Sequence, residues 1–442
     1  MSEFTRPKNA EELGNNFKQI KPLMNATMAY YESSRCLFCY DAPCVQACPT
    51  AIDIPLFIRQ INTGNVKGAA KTIYDSNYFA NTCGKVCPTE VLCEGACVYN
   101  HQDVKPIEIG RLQSYASTYV LTKDEPLYQP GQGNGKKVAI IGAGPAGISA
   151  ACDLRLSGYD VDVYEAKSHP SGLVIYGVAP YKITNQEALD EVEYLQKQFN
   201  FNIFYNSPIS GEAEFKKLEA NYQAIFIGIG LGNTSALRIG GEDLLHCAGA
   251  TEFIERIKID PFNTHIGDKV VVIGGGNTAM DAASEAARMG APEVYLAYRR
   301  AKDQKGAYEF EYDLAKAVGV KGLFNVSPVQ ILGKDKVTGI RFIRTKQEGN
   351  KLIPIEGSEF DFLCDMVIKA TGQSKLKDFL NQIGGIDLNL NGTIKVNDQF
   401  QTTNPKYFAS GDAVNGGKEV VNAVAEAKIA AKGIHEFLSA QA

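Results

Sequence analysis

The cysteines are the side chains in this sequence whose spacing most clearly indicates chemistry. Eight of the eleven lie between Cys36 and Cys97. They form two groups, and each group contains a Cys-Pro step. The first reads Cys36-x2-Cys39-x4-Cys44-x3-Cys48-Pro49, and the second reads Cys83-x3-Cys87-Pro88 and continues to Cys93 and Cys97. Thiolates are soft ligands that suit iron, and closely spaced cysteines followed by proline are typical of ferredoxin clusters. The pattern therefore favours iron-sulfur clusters.

Two other uses of these cysteines stay open at this point. The gap of four residues between Cys39 and Cys44 differs from the gap of two found in ferredoxins. Structural zinc also binds pairs of cysteines. Eight cysteines could form a disulfide framework, but such frameworks are typical of small secreted domains. Iron-sulfur clusters remain the preferred interpretation.

A glycine-rich loop follows the cysteine region and predicts a dinucleotide site. A buried strand at Lys137–Ile141 runs into Gly142-Ala143-Gly144-Pro145-Ala146-Gly147 and then into an alanine-rich helix. The first glycine permits a tight turn, the second lets the backbone approach a pyrophosphate, and the third lets the helix pack on the strand. A second strand, residues 161–164, ends at Glu165, which suits the hydroxyls of a ribose.

The same pattern recurs later and predicts a second nucleotide. Lys269–Ile273 leads into Gly274-Gly-Gly276-Asn277-Thr278-Ala279, and a helix is expected from residue 280 to 289. The next strand, Glu293–Tyr298, ends in Arg299 and Arg300 where NAD-binding folds carry an acid, with Lys302 and Lys305 nearby. Arginine at this point suits a 2′-phosphate. NADPH is therefore preferred, and NADH is also compatible, because the arginines could belong to a solvated charged turn.

Composition narrows the class of protein. The 442 residues can bury two or three cores, so we expect a multidomain protein. The 50 acidic and 45 basic residues are interspersed, which argues against a nucleic-acid partner. Charged residues interrupt the first thirty positions, and no apolar run approaches the roughly 20 residues that span a bilayer. We therefore expect a cytoplasmic protein without a membrane partner.

The two nested dinucleotide folds resemble the pyridine-nucleotide disulfide reductase superfamily. Residues 370–372 (Ala-Thr-Gly) close the second fold, and residues 407–412 (Tyr-Phe-Ala-Ser-Gly-Asp) resemble the late flavin motif of that superfamily. The resemblance implies an α/β fold with FAD in the first dinucleotide domain and NAD(P)H in the second, after an N-terminal helical domain. The predicted limits are 1–130 for the iron-sulfur domain, 131–264 and 373–442 for the two parts of the FAD domain, and 265–372 for the NAD(P)H domain. No C-x-x-C motif follows residue 97, so disulfide reduction is not expected.

A cysteine-rich domain placed before the flavin domain resembles a narrower family, which includes the small subunit of glutamate synthase and dihydropyrimidine dehydrogenase. Within it, the sequence resembles in particular the separate bacterial NAD(P)-binding subunit of dihydropyrimidine dehydrogenase. The stretches that carry this resemblance are residues 35–44, 82–89, 106–113, 165–173 and 224–231. The resemblance covers essentially the whole chain.

The resemblance implies two [4Fe-4S] clusters. One would be held by Cys36, Cys39, Cys44 and Cys97, and the other by Cys48, Cys87, Cys93 and Gln113, which leaves Cys83 over. The related ferredoxin:NADP oxidoreductases carry a glutamate at the position of Gln113, so the glutamine favours the pyrimidine enzymes. Without the resemblance, Gln113 would be interpreted as an ordinary polar helix residue.

The resemblance also implies the residues that bind the two nucleotides. The expected FAD contacts are Gly142, Ala143, Gly144, Pro145, Ala146, Gly147, Glu165, Gly172, Leu173, Lys182, Gly411 and Asp412. The expected NAD(P)H contacts are Gly274, Gly276, Asn277, Thr278, Ala279, Arg299, Arg300, Ala370, Thr371 and Gly372. The sequence departs from the family at residues 179–184, where Lys182 replaces an arginine, and at residues 303–307, where a proline pattern is absent.

The implied function is electron input. Hydride would pass from NAD(P)H to FAD, and electrons would leave through the clusters to a partner FMN and iron-sulfur TIM-barrel subunit that reduces uracil or thymine, in an assembly of two small and two large subunits. The cofactors carry this chemistry, so no catalytic side chain is expected. The alternatives are a glutamate synthase small subunit, a ferredoxin:NADP oxidoreductase and a noncatalytic scaffold.

Overall fold

The computed structural model describes residues 3–349 and 351–440. The chain divides into two compact units. The larger comprises Ile20–Ile175, Lys182–Leu231 and the residues from Lys375 onward, and the smaller comprises the residues up to Gln19, Tyr176–Tyr181 and Gly232–Ser374. The domain limits predicted from the sequence stay predictions. The first helix, α1 (Ala10–Asn16), belongs to the smaller unit.

The larger unit begins with short helices that carry the cysteines. They are α2 (Ala26–Ser34), α3 (Pro43–Gln46), α4 (Ile54–Asn62), α5 (Val66–Ser76), α6 (Ala80–Val86) and α7 (Ile109–Lys123). The carboxylate of Asp53 caps α4 by accepting a hydrogen bond from the Leu56 amide at 3.1 Å. The apolar face of α4 is buried in a core shared with α5 and α7. The cysteines lie mainly at helix ends and in the loops between helices.

A parallel sheet follows in the same unit. Its strands are β1 (Lys137–Ile141), β2 (Asp160–Tyr164), β3 (Asn202–Phe204), β4 (Ala224–Ile227) and β14 (Tyr407–Ala409), in the order β14-β4-β1-β2-β3. Residues 138–141 and 224–227 are buried, as expected of parallel strands covered on both faces. The pairing of β14 with β4 returns the chain to this sheet after the smaller unit.

The helices of this second part of the larger unit are α8 (Pro145–Leu156), α9 (Leu173–Tyr176), α10 (Asn185–Phe199), α11 (Glu212–Asn221), α15 (Lys377–Leu380), α16 (Asp412–Asn415) and α17 (Val420–Ser439). Helix α8 starts directly after the glycine-rich loop, with Gly144 as N-cap and Pro145 at its first position. Helix α10 starts in a capping box between Thr184 and Glu187.

The smaller unit contains a second parallel sheet. Its strands are β5 (Cys247–Gly249), β6 (Lys269–Ile273), β7 (Glu293–Tyr298), β8 (Lys321–Phe324) and β13 (Met366–Lys369), in the order β5-β13-β6-β7-β8. Its helices are α12 (Ala250–Ile259), α13 (Asn277–Arg288) and α14 (Glu309–Ala317). The helix expected at residues 280–289 is α13, which begins three residues earlier, directly at the glycine loop.

An antiparallel sheet, which sequence reasoning did not predict, also belongs to the smaller unit. Its strands are β9 (Val326–Gly333), β10 (Val337–Glu348), β11 (Lys351–Pro354) and β12 (Phe360–Leu363), and β10 pairs with each of the others. Ile340 and Phe342 of β10 share a core with Val271 of β6, so this sheet is packed against the parallel one.

The predicted fold class is confirmed. A helical cysteine-rich segment precedes two parallel α/β sheets, and the second sheet is inserted in the sequence of the first. Among the described residues, no helix has the length and apolarity needed to cross a membrane.

Candidate cluster and nucleotide sites

The first predicted ligand set lines one cavity. Cys36, Cys39, Cys44 and Cys97 surround it together with apolar side chains that include Ile54 and Ile58. Burial raises the pKa of Cys44 to about 12, and the neighbouring Cys36 and Cys97 thiols contribute to this rise. Iron must displace these thiol protons, because the thiolate is the form that binds metal. The structure thus brings these four side chains to a single site.

The three cysteines of the second predicted ligand set also lie near one another. Cys87 ends helix α6, and Cys48 and Cys93 come from separate loops. Burial raises the pKa of Cys93, to which Glu94, Cys87 and Cys48 contribute as well. These three thiols therefore lie within electrostatic reach of one another.

Cys83, which the predicted ligand sets leave over, lies buried one turn before Cys87 on α6. A hydrogen bond between the two thiols, together with burial, raises the pKa of Cys87 well above its usual value. A neutral thiol at Cys83 would be a weak donor to a Cys87 thiolate.

Gln113 lies on α7 and is 7% exposed. Its Nε2 donates to the carbonyl oxygen of Ala80 at 2.7 Å, and this acceptor fixes which end of the amide is nitrogen. Among the described residues, no donor is bonded to its Oε1. An amide oxygen without a partner, on a buried side chain, fits a role as a ligand. That role stays a prediction.

A single metal ion is a poorer fit. Among residues 3–349 and 351–440, no three His, Cys, Asp or Glu side chains converge as one ion would require. The first cysteine set instead lines the wall of a cavity, which suits a cluster whose several irons each take one thiolate.

The first glycine loop is shaped to hold a phosphate group. Gly142 has φ of +99°, and a Cβ there would lie 2.5 Å from the Gly228 carbonyl oxygen. A Cβ on Gly147 would lie 1.9 Å from the Gly142 oxygen, so the loop and α8 pack closely. At Gly144 the nearest heavy atom to such a Cβ is 3.9 Å away. The open side of the loop therefore leaves room for an anion at the start of α8.

Glu165 closes the same site at the end of β2. It is 8% exposed, and its carboxylate accepts hydrogen bonds from the amides of Ala143 and Lys167, each at 2.8 Å. These bonds hold the carboxylate against the glycine loop and leave lone pairs for ribose hydroxyls.

Residues from later in the chain border this loop. Gly411 has φ of +71°, and a Cβ there would lie 3.1 Å from the Cβ of Ala146. Asp412 follows, and burial raises the pKa of its carboxyl group. The hydroxyls of Ser171 and Ser410 are buried without a partner among the described residues. Unpaired polar atoms around an open loop fit a bound FAD. Gly172, Leu173 and the buried Lys182 lie in segments of the same unit.

The second glycine loop has a similar design. A Cβ on Gly274 would lie 2.4 Å from the Ala370 carbonyl oxygen, whereas Gly276 has open space on that side. The Asn277 side chain accepts a hydrogen bond from the Tyr308 amide at 3.0 Å. Thr278 is exposed and Ala279 is buried. Thr371 and Gly372 are bonded to Ser235 beside this loop.

Arg299 and Arg300 follow β7 as the sequence predicted. Arg299 is exposed and Arg300 half-buried, and among the described residues neither guanidinium is paired with a carboxylate. Lys305, by contrast, is paired with Glu309. Two arginines without an acidic partner suit a phosphate group.

Sequence reasoning missed two residues at these sites. The ring of Tyr298 lies against Gly275, where a Cβ would come within 2.5 Å of it. Lys21 donates to Thr89 Oγ1 at 2.8 Å and to the Cys87 carbonyl oxygen at 3.3 Å. Lys21 lies 66 positions from Cys87, and nothing in the sequence pattern indicates the contact.

Comparison with known proteins finds a matching family for each of the two parts of the chain. The family described as dihydropyrimidine dehydrogenase domain II, 4Fe-4S cluster, matches residues 13–125, and the pyridine nucleotide-disulphide oxidoreductase family matches residues 136–427. The chain is 35% identical over 425 residues to the NAD-dependent dihydropyrimidine dehydrogenase subunit PreT of Escherichia coli, covering 96% of this chain and 98% of that protein. It is 30% identical over 446 residues to the glutamate synthase [NADPH] small chain of the same species, covering 96% and 94%.

Solved structures resemble the nucleotide-binding part in fold. FprA of Mycobacterium tuberculosis in complex with NADPH has a TM-score of 0.58 at 22% identity, covering 69% of this chain and 85% of that one. Thioredoxin reductase of Lactococcus lactis has a TM-score of 0.53 at 20% identity, covering 69% and 99%. The chain belongs to the family of PreT-type dihydropyrimidine dehydrogenase subunits and is an NAD(P)H-dependent iron-sulfur flavoprotein oxidoreductase.

Proposed function

We propose that this chain is the electron-input subunit of a dihydropyrimidine dehydrogenase. In this role it takes reducing equivalents from NADPH at one site and delivers electrons through two [4Fe-4S] clusters to a partner FMN and iron-sulfur subunit. That partner, expected to contain a TIM barrel and to assemble as two small and two large subunits, would reduce uracil or thymine. The main support is the buried side chain of Gln113, whose Oε1 lacks a partner among the described residues, in a chain 35% identical to a subunit with this name.

The residues that would hold the clusters follow from the two cysteine groups. Cys36, Cys39, Cys44 and Cys97 would hold one cluster, and Cys48, Cys87, Cys93 and Gln113 would hold the other. Bound clusters accept and release electrons one at a time, at potentials set by their ligands and surroundings. The chain contributes the thiolates, the amide oxygen and the apolar lining that limits the access of water.

The residues of the FAD site bind and orient the cofactor. Glu165 would accept from ribose hydroxyls, and the open backbone at Gly144 would admit the pyrophosphate. Asp412, which follows Gly411 at the edge of the loop, would meet the polar chain of the flavin. Lys182 takes the place of a family arginine and would keep a positive charge near the flavin.

Nucleotide choice would rest on Arg299 and Arg300. Neither pairs with a carboxylate among the described residues, so both are available to meet a 2′-phosphate. We therefore propose a preference for NADPH, although the PreT relatives are named NAD-dependent.

Electrons would leave through the first cluster. The loop of residues 36–44 that carries three of its ligands is exposed at Leu37 and Tyr40, so a partner can approach it. We place the chain in the cytoplasm, where NADPH and pyrimidines are both present.

The test is the chain purified anaerobically, alone and together with the barrel subunit. We expect about eight irons and one FAD per chain, and uracil-dependent NADPH oxidation only when both subunits are present. The protein could contain iron and FAD, show no pyrimidine turnover, and form glutamate in the presence of a glutamate synthase large subunit. That result would assign the chain to the glutamate synthase small subunits instead. Zinc in place of iron would refute the electron path.

A further inference from the structure

Glu191 is a buried carboxylate that the electron path described above does not use. It lies on α10 with no exposed surface. Its Oε1 accepts from the Asn81 amide at 2.6 Å and from the Tyr74 hydroxyl at 3.2 Å. Its Oε2 accepts from the Thr82 amide at 2.9 Å and from the Thr82 hydroxyl at 2.6 Å. These hydrogen bonds compensate for burying this group.

One peptide group joins this carboxylate to Gln113. The N–H of Asn81 and the carbonyl of Ala80 belong to the same peptide unit. The N–H donates to Glu191, and the carbonyl oxygen accepts from Gln113 Nε2 at 2.7 Å. An unbroken line of hydrogen bonds therefore runs from the carboxylate through the peptide group to the glutamine amide. The far end of that amide is Oε1, the atom proposed to bind iron.

A chain of hydrogen bonds of this kind transmits the electrostatic effect of a charge at one end to the group at the other end. Hydrogen bonds in a chain polarise one another, and an anion at one end strengthens each of them. The carboxylate of Glu191 draws on the peptide N–H and makes the Ala80 oxygen a stronger acceptor. The bond from Gln113 Nε2 then shifts electron density within the amide toward Oε1, as partners outside a metal site raise the basicity of ligands. A more basic ligand favours the oxidised cluster.

We propose that Glu191 is a positioning residue that sets the reduction potential of the cluster bound by Gln113 and couples a proton to its reduction. The inference rests on the proposed ligand role of Gln113. In the coupled step, an electron derived from NADPH through FAD is added to the cluster, and a proton from water is added to the carboxylate. The added electron and the added proton leave the net charge of the cluster and the carboxyl group together unchanged.

The ionisation of the carboxyl group agrees with this role. Burial raises the pKa of Glu191 to about 7, although the bonds from Thr82, Asn81 and Tyr74 oppose the shift. Negative charge added to the cluster raises this pKa further. Above about pH 7, the carboxyl group has lost its proton while the cluster is oxidised and regains one when the cluster is reduced, so the reduction potential is expected to fall as the pH rises. Below about pH 6 the group is protonated in both states, and the potential is expected to be constant.

Other ionisable groups lie near this carboxyl on the helices packed around it. Burial raises the pKa of Tyr74 well above its usual value, so Tyr74 stays neutral. One turn away on α10, the ion pair with Lys85 lowers the pKa of Glu187 although burial opposes it. On α8, burial raises the pKa of Asp153, whose carboxylate accepts from the Tyr78 hydroxyl and is not bonded to Glu191. Arg155 on the same helix donates to the Phe199 carbonyl oxygen. The α7 side chains that are hydrogen-bonded to α6, Gln113, Ser117 and Thr118, are an amide and two hydroxyls.

The test is a redox titration of the holoprotein between pH 6 and 9, followed by electron paramagnetic resonance so that the two clusters are read separately. In the wild type, the potential of one cluster should fall as the pH rises and the other should stay constant. Glu191→Gln should raise the potential of that cluster at pH 8 and abolish its pH dependence. Glu193→Gln removes the same charge from an exposed site on the same helix and should match the wild type.

Two results would overturn the proposal: cluster potentials in the wild type that do not change with pH, or a potential at pH 8 that Glu191→Gln does not shift. If that variant does not accumulate, the wild-type titration decides alone. Gln113→Ala separates this inference from the ligand assignment. Unchanged spectra of both clusters in Gln113→Ala would refute the ligand role itself, whereas one altered spectrum with no effect of Glu191→Gln would keep the ligand and refute the coupling.

Discussion

Gly144 and Gly147 lie in one loop, and substitution to alanine should have different effects at the two positions. A Cβ on Gly147 would lie 1.9 Å from the Gly142 carbonyl oxygen, so Gly147→Ala displaces the backbone. The nearest heavy atom to a Cβ on Gly144 is 3.9 Å away, and the backbone there (φ −75°, ψ −178°) suits any residue. We expect Gly144→Ala to change the free energy of unfolding of the flavin-free protein by less than about 1 kcal/mol.

The same methyl group should weaken FAD binding. It would occupy the open side of the loop, where we propose that the pyrophosphate meets the amides at the start of α8. A hydrogen bond to a charged group contributes about 1.5–3 kcal/mol, so lengthening one or two of them costs about 3 kcal/mol. That corresponds to a roughly 100-fold higher Kd. Fluorescence titration of flavin-free protein with FAD measures the Kd, and thermal unfolding measures the stability.

Gly133→Ala is the matched control, because a Cβ on Gly133 would have no heavy atom within 4 Å and this residue lies outside the loop. It should leave both the FAD affinity and the unfolding temperature unchanged. Gly144→Ala with wild-type FAD affinity would refute the assignment of this loop to the pyrophosphate. A flavin-free Gly144→Ala protein that unfolds as readily as Gly147→Ala would refute the steric reasoning.

Three further predictions concern other sites. Arg299→Ala should raise the KM for NADPH about tenfold or more and leave that for NADH unchanged, because a charge-assisted contact of about 1.5–3 kcal/mol is lost; equal effects on both would refute the 2′-phosphate role. Cys93→Ser should lower the iron content from about eight to about four per chain, while FAD content stays constant; full iron content would exclude Cys93 as a ligand. Although burial opposes it, the bond from Lys369 holds the pKa of Glu242 at about 2. Its pKa is depressed on folding, so the stability it contributes is present above about pH 4.5 and is lost as the pH falls toward 2. Glu242→Gln should flatten that part of the curve of unfolding free energy against pH, and a curve identical to the wild type would contradict this.

Much of the fold was predictable because local patterns determine it. The two glycine loops, each between an apolar strand and an alanine-rich helix, predicted the two parallel sheets, and the structure contains both. The antiparallel sheet around β10 was not predicted. Its strands alternate between buried and exposed residues only in part, and its core forms against Val271 of a distant segment. Such long-range packing leaves little trace in a single sequence.

Candidate site residues could be predicted where the chemistry constrains their spacing in the sequence. They could not be predicted where tertiary contacts bring distant residues together. Cys36, Cys39 and Cys44 lie close in sequence, but only family resemblance joined Cys97 to them, and the structure places all four around one cavity. Nothing in the sequence indicated that Glu191 is buried, because a glutamate in a helical pattern usually faces solvent. Its burial depends on α6 lying against α10, which no local pattern reveals.

The central claim is that electrons leave the flavin through the clusters to reduce a pyrimidine. The most direct measurement compares two activities in the assembled pair of subunits carrying Cys93→Ser: NADPH oxidation with an artificial dye that accepts electrons from the flavin, and NADPH oxidation dependent on uracil. We predict that the dye reaction is retained and that the uracil reaction is lost. Uracil-dependent oxidation at the wild-type rate in protein with half the iron would contradict the account.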